Sequence, residues 1–205
     1  MLKRLDKVYK MYLCGLIAAD GHLDAKEKVI VIAQKDKEFI DIIAKILEKI
    51  GVSVSSVFYD KSARVWKLKI RDKKFYNYLI ENGVVEGRKS DKINPPKTGL
   101  KTKEALAYVI GFIDGDGWIE QVKKKRKGKI YHYMRIGIKT KSENICNWMI
   151  KVLEANGIKA RKANKKNSYE IQIDTLLAWK LAAFLLNPKH KNKLMNIRDD
   201  RTLRS

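Results

Sequence analysis

Apolar positions along this chain recur with two periods, and the periods follow one another in the same order twice. Phe39, Ile42, Ile43, Ile46, Leu47 and Ile50 fall at helical spacing, and Gly51 closes that stretch. Ile145, Trp148, Met149, Val152 and Leu153 mark the buried face of a matching helix farther on. Alternation of the strand kind sets Trp66, Leu68 and Ile70 against Lys67, Lys69 and Arg71, and Met134, Ile136 and Ile138 against Tyr133, Arg135 and Lys139. Each half of the chain reads as helix, strand, strand, helix, strand, strand, helix. The expected class is α+β, built as two similar lobes.

The likeness of the halves extends to individual residues. Tyr12-x-x-Gly15-x-Ile17-x-x-Asp20-Gly21 returns as Tyr108-x-x-Gly111-x-Ile113-x-x-Asp116-Gly117, at a constant offset of 96. Farther on, Ile32 and Ile138, Lys35 and Lys141, Leu47 and Leu153, and Gly51 and Gly157 correspond at an offset of 106. The second copy has therefore gained ten residues, and the gain falls in 121–133, a stretch containing Lys123, Lys124, Lys125 and Arg126. A repeat of this length indicates duplicated lobes rather than a solenoid. Pro95 and Pro96 lie in a region between the copies, 83–103, that reads as a linker. The expected boundaries are a first lobe over 1–90, a linker over 91–102 and a second lobe over 103–205.

In both motifs small residues recur four apart, Gly15 with Ala19 and Gly111 with Gly115. At helical spacing they share a face and let two helices approach closely. Packing those faces across a pseudo-twofold axis ends each helix at its own acid and brings Asp20 and Asp116 together. Two carboxylates at helix C-termini repel one another and oppose the helix dipole. A divalent cation with oxygen ligands and water removes both difficulties, so Mg²⁺ is expected there. An EF-hand starting at Asp114 is excluded, because Lys125 stands where a bidentate Glu is required.

Charge narrows the partner. Lys and Arg number 45 against 23 Asp and Glu, for a net charge of +22 spread over the whole chain. A field of that sign attracts nucleic acid. A membrane partner is disfavoured: the apolar run over 13–19 is too short to span, and no signal-peptide pattern precedes it. The expected location is therefore intracellular, cytoplasmic or organellar. Cys14 and Cys146 lie in apolar helical stretches as reduced core residues, and His22, His132 and His190 form no zinc spacing. Sheets with an apolar inner face and a cationic outer face suit a duplex groove. Outward candidates are Arg64, Lys67, Lys69, Arg71, Tyr133, Arg135, Lys139, Glu170 and Gln172, with Lys123–Arg126 added from the gained stretch. Paired acids with metal suit phosphodiester hydrolysis, one site per strand, where phosphates face each other across the minor groove.

Leu13-Cys14-Gly15-Leu16-Ile17-Ala18-Ala19-Asp20-Gly21 and Val109-Ile110-Gly111-Phe112-Ile113-Asp114-Gly115-Asp116-Gly117 resemble the two motifs of a monomeric LAGLIDADG homing endonuclease. Gly87-Arg88-Lys89-Ser90 and Asn187-Pro188-x-His190-Lys191-Asn192-Lys193 resemble further stretches of that family, and no intein splicing block is recognisable. The resemblance implies an αββαββα fold per lobe and two antiparallel four-stranded saddles astride DNA. It also implies an intron-encoded, Mg²⁺-dependent enzyme that cuts both strands of a long asymmetric site, leaving 3′ overhangs. Mn²⁺ or Ca²⁺ is expected to replace Mg²⁺ for binding. Asp20 and Asp116 would be the metal ligands, assisted by the backbone carbonyls of Ala19 and Gly115. Gln34 would orient water, and Lys35 or Lys141 would stabilise charge on the scissile phosphate. Ala18 replaces the earlier acid that the second motif keeps as Asp114. The rival reading keeps the fold without the reaction, as an RNA-binding intron maturase or a non-cleaving DNA-binding protein.

Overall fold

The computed structural model describes residues 2–87, 91–174 and 177–197. The first lobe runs α1 (Leu2–Asp20), β1 (Gly21–Asp24), β2 (Val29–Gln34), α2 (Lys37–Lys49), β3 (Val54–Asp60), β4 (Val65–Ile70) and α3 (Lys73–Glu81). The second runs α4 (Lys103–Asp116), β5 (Trp118–Arg126), β6 (Lys129–Thr140), α5 (Glu143–Ala155), β7 (Arg161–Lys165), β8 (Ser168–Ile173), α6 (Leu177–Ala182) and α7 (Pro188–Leu194). Two antiparallel four-stranded sheets result, ordered β1-β2-β4-β3 and β5-β6-β8-β7. The expected αββαββα order holds, with α7 as an additional short helix closing the second lobe.

Helix starts are set by side chains that take over an orphan backbone N–H. Asp36 caps α2 through Glu38 N, Asp72 caps α3 through Phe75 N, Thr102 caps α4 through Ala105 N, and Ser142 caps α5 through Ile145 N. The second and fifth helices stop at repeat-related glycines, Gly51 and Gly157, with φ of 72° and 77°. Such positive values cost glycine little and any residue with a β-carbon considerably more.

Register places the inner faces as the alternation requires. Ile32 lies opposite Leu68, and Ile138 opposite Ile171, all fully buried against the helices. Both lobes contribute to one contiguous core. Four positions depart from the helical pattern: Ile40 is fully buried, whereas Ile42, Ile50 and Trp148 are only partly covered. The stretch gained by the second copy forms the outer arms of β5 and β6. They are joined through Lys127 and Gly128, both at positive φ, the turn that matches strand twist. Among the described residues no helix is long and apolar enough to cross a membrane.

Candidate active site at the helix pair

The most extensive packing between elements joins α1 to α4. A β-carbon on Gly15 would lie 1.9 Å from the Tyr108 carbonyl oxygen, and one on Gly111 would lie 2.0 Å from that of Tyr12. One on Gly115 would lie 2.6 Å from Ala19 Cβ and 3.4 Å from Asp20 Cβ. The contacts are reciprocal, as a twofold axis demands. Small residues bring the backbones together, and each acid is the last residue of its helix. Both carboxylates are exposed. The glycine after each acid turns the chain back on its own helix: a β-carbon at Gly21 would strike Ile17, and one at Gly117 the Ile113 carbonyl.

Asp20 accepts a 2.6 Å hydrogen bond from Gln34 Nε2, which reaches it from the end of β2 with little exposure. The repeat-related position holds Thr140, whose hydroxyl accepts from Ser142 N, so the two half-sites differ here. Asp116 borders a cleft of about 710 Å³, lined also by Ala18, Ala19, Trp118, Lys139, Thr140 and Lys141. Trp118 faces Gly137 across the strand pair, and a β-carbon on Gly137 would fall within 2.2 Å of the indole ring. Lys35 is exposed at the end of β2 and does not line this cleft.

Asp114, beside the site, is fully buried. Its carboxylate accepts from Tyr12 Oη at 2.8 Å, Leu186 N at 2.8 Å and Asn187 N at 3.1 Å. Burial raises its pKa against these bonds, which lower it. Tyr12 is pushed well above its ordinary range by burial and by that carboxylate. The segment around α7 also grips the backbone of α4. Asn187 Nδ2 donates to the Asp114 carbonyl at 2.8 Å, Lys189 Nζ to the Gly115 carbonyl at 2.7 Å, and His190 Nε2 pairs with the Ile113 carbonyl at 3.0 Å. Burial brings His190 down to about 4, leaving a neutral ring at pH 7. Lys189 is pulled below its ordinary value by burial, while Asp20, Asp114 and Asp116 act to raise it. Its ammonium thus stands within the field of both exposed acids. The sequence marks the Asn187–His190 stretch without revealing this lysine's role, because its position depends on α7 folding back onto α4.

Hard oxygen donors fit a divalent ion. Among the described residues no group of three His, Cys, Asp or Glu could hold a metal. An ion here would rest on Asp20 and Asp116, with backbone carbonyls, water and phosphate completing its shell. The Gly115 carbonyl expected to contribute is already engaged by Lys189.

Residues 7–80 match the LAGLIDADG-like domain family and residues 109–198 the LAGLIDADG endonuclease family, one match per lobe. The chain belongs to the LAGLIDADG family. It is a two-motif protein of the homing-endonuclease type. Over 116 residues it is 29% identical to an A-type ATP synthase subunit of Methanopyrus kandleri, a match covering 55% of this chain and 10% of that protein. Its fold resembles full-length DUF199/WhiA from Thermatoga maritima, with a TM-score of 0.60 and 18% identity over 97% of this chain and 65% of that one. It also resembles I-DmoI in complex with DNA and Mn, with a TM-score of 0.57 and 17% identity over 88% and 97% of the two chains. The chain thus spans about a tenth of that curated relative and under two thirds of the WhiA chain.

The saddles of this LAGLIDADG protein present the outward residues expected from the alternation. Lys67 and Lys69 stand beside Phe58 and Ser56 of β3, and Lys139 beside Glu170. Arg64 is exposed at positive φ in the β3–β4 turn, and Arg71 pairs with Glu27 at 3.7 Å. Several cations on this surface are held by carboxylates. Lys67 bonds Asp60 at 2.5 Å, which holds the Asp60 carboxyl well below the usual range. Arg135 is clamped by Asp174 at 2.6 Å and Glu120 at 3.4 Å, and Arg161 also reaches Asp174. Gln172 donates to Glu170 at 2.5 Å, so those two polar candidates form one unit. Lys123, Lys124, Lys125 and Arg126 are exposed along the β5 arm. Arg88, Lys89 and Ser90 lie outside the described residues.

Proposed function

We propose that this LAGLIDADG protein is a site-specific endonuclease that hydrolyses both strands of a long, asymmetric duplex across the minor groove, leaving 3′ overhangs. The observation that carries the reading is the pair of repeat-related, exposed acids Asp20 and Asp116. Each ends one helix of a close-packed pair joining two basic saddles. A binding protein has no use for two carboxylates at helix ends facing a polyanion, since they repel both each other and the ligand. One chain supplies both acids, so the working unit is a monomer with one acid per strand.

Each group has a stated task. The saddles fix the duplex through outward cations and polar side chains. Gln34 holds the Asp20 carboxylate in one orientation and presents an amide where water approaches. Lys139 and Lys141, in the cleft with Asp116, offset charge on the phosphate of their strand. Lys35 offers a more distant charge to the other strand. Mg²⁺, Mn²⁺ or Ca²⁺ would be held by Asp20 and Asp116, where a catalytically competent ion supplies Lewis acidity and activation of water. I-DmoI was observed with DNA and Mn and with DNA and Ca, in line with divalent metal use by this fold.

A second reading, DNA binding without cleavage, draws on the likeness to WhiA over nearly the whole chain. Incubating the protein with a randomised duplex library and Mg²⁺, then sequencing both cut ends and bound fragments, separates the two. Cut ends with short 3′ overhangs around one long asymmetric consensus are expected. Enrichment of a bound consensus with no cut ends under Mg²⁺ or Mn²⁺ would establish the binding reading instead.

A further inference from the structure

We propose that Lys189 is a built-in counter-ion of the acid pair, holding the end of the second LAGLIDADG helix and competing with a divalent ion for the Gly115 carbonyl. The inference rests on the metal-dependent reading above and adds a residue that neither motif contains.

The end of α4 carries the partial negative charge of its unpaired carbonyls, with Asp116 as its last residue and Asp20 close by. Neither α1 nor α4 has a basic residue in its last turn. The compensating charge comes from another element. The α7 segment sets three side chains on three successive carbonyls, those of Ile113, Asp114 and Gly115. The first two partners are a neutral imidazole and an amide. The third, nearest the exposed acids, is an ammonium.

Hydrogen bonding alone does not explain a lysine there, since an amide would satisfy the carbonyl equally. Nor is the ammonium needed by Asp114, whose carboxylate already accepts from Tyr12, Leu186 and Asn187. What it adds is a positive charge at the Gly115 carbonyl, one residue before Asp116 and beside Asp20. An ammonium has three donors, and the Gly115 bond uses one of them. A divalent ion on the same acids meets that charge and shares that carbonyl. Lys189 therefore keeps the acid pair assembled without metal and weakens the hold on metal once it arrives.

The test uses the full chain and Mn²⁺ alone, comparing wild type with K189M and K189Q in calorimetric titrations and in thermal melts with EDTA or Mg²⁺. Both variants should melt several degrees lower in EDTA, recover most of the loss with Mg²⁺, and bind Mn²⁺ on the order of tenfold more tightly. The K189R variant, which keeps the charge, should bind Mn²⁺ as wild type does. A melting loss that Mg²⁺ does not restore would reduce Lys189 to packing and overturn the proposal. Equal Mn²⁺ affinity in wild type, K189M and K189Q would also overturn it, leaving the endonuclease reading intact. No Mn²⁺ uptake by any of these proteins would remove the metal site itself, and both readings with it.

Discussion

Gly15 lies so close to Tyr108 of the other lobe that a β-carbon at that position would sit 1.9 Å from the tyrosine's carbonyl oxygen. Its repeat partner Gly111 meets Tyr12 in the same way. In both cases the obstacle is backbone, which cannot turn aside as a side chain can. The Gly15→Ala and Gly111→Ala variants should each lose about 3 kcal/mol or more, because the helices must separate along their whole contact. Chemical denaturation will measure the loss. Unaltered midpoints in both variants would mean that the helices do not approach as closely as described.

The two motif tyrosines are equivalent by the repeat but not by their partners. Tyr12 donates to Asp114, whereas the Tyr108 hydroxyl is buried without a hydrogen-bond partner. The residue corresponding to Asp114 in the first motif is Ala18, which offers no acceptor. Tyr108→Phe should therefore be neutral or stabilising, since it removes an unsatisfied polar group. Tyr12→Phe should cost about 1–3 kcal/mol. Equal losses in the two variants would show that Tyr108 has a partner after all.

Much of this architecture is legible in the chain, and the reason is periodic. Burial against helices imposes an alternation of two on Met134, Ile136 and Ile138 and a helical spacing on Phe39, Ile43 and Leu47. The duplication doubles each signal. The meeting of the helices follows from small residues four apart, which have few other uses on an apolar face. Contacts made by folding back are not legible. The grip of Lys189 on Gly115 spans 74 positions and leaves no period. The carboxylate clamps on Lys67 and Arg135 are equally invisible, because alternation says which face a residue occupies and nothing about its neighbour across the sheet. Asp114 reads from the sequence as an acid that the first motif lacks, and its role in tying α1, α4 and residues 186–187 together needs the fold.

The His190 ring makes stability depend on pH. Its folded value of about 4 lies below the ordinary 6.5, chiefly through burial, with Lys189 and Lys193 adding repulsion. The unfolded chain therefore binds the proton more tightly than the folded one. The contribution is present in full above pH 6.5 and is lost as the pH falls toward 4. Asp114, also buried and raised, acts in the opposite sense, so the ring's share is isolated by comparison with His190→Gln. From pH 7 to pH 5 the wild type should lose about 2 kcal/mol more than the variant. Parallel stability curves would show that the ring titrates normally.

Asp20→Asn and Asp116→Asn should each abolish double-strand cleavage while leaving duplex affinity within about threefold, since both acids lie at the helix ends rather than on the saddle faces. Strand-specific end labels will show whether each variant still nicks one strand. Gln34→Ala should act mainly on the Asp20 side, because its amide bonds that carboxylate and Thr140 replaces it in the other half-site. Equal slowing of both strands by Gln34→Ala would contradict that division. Loss of duplex binding in the Asn variants would instead place the acids among the binding groups.

The two lobes should not cover equal lengths of DNA. Strand β5 has 9 residues where β1 has 4, and the extra length forms the exposed arm carrying Lys123, Lys124, Lys125 and Arg126. At ~3.3 Å per residue the arm reaches about 17 Å farther, or roughly five base pairs along a groove. Footprinting should therefore show protection extending about five base pairs farther on the second-lobe side. Replacing those four cations with Gln should shorten that side and lessen the dependence of affinity on salt by up to about 0.9 in logarithmic slope for each lost phosphate contact. A symmetric footprint together with an unchanged salt slope would place the arm away from the duplex.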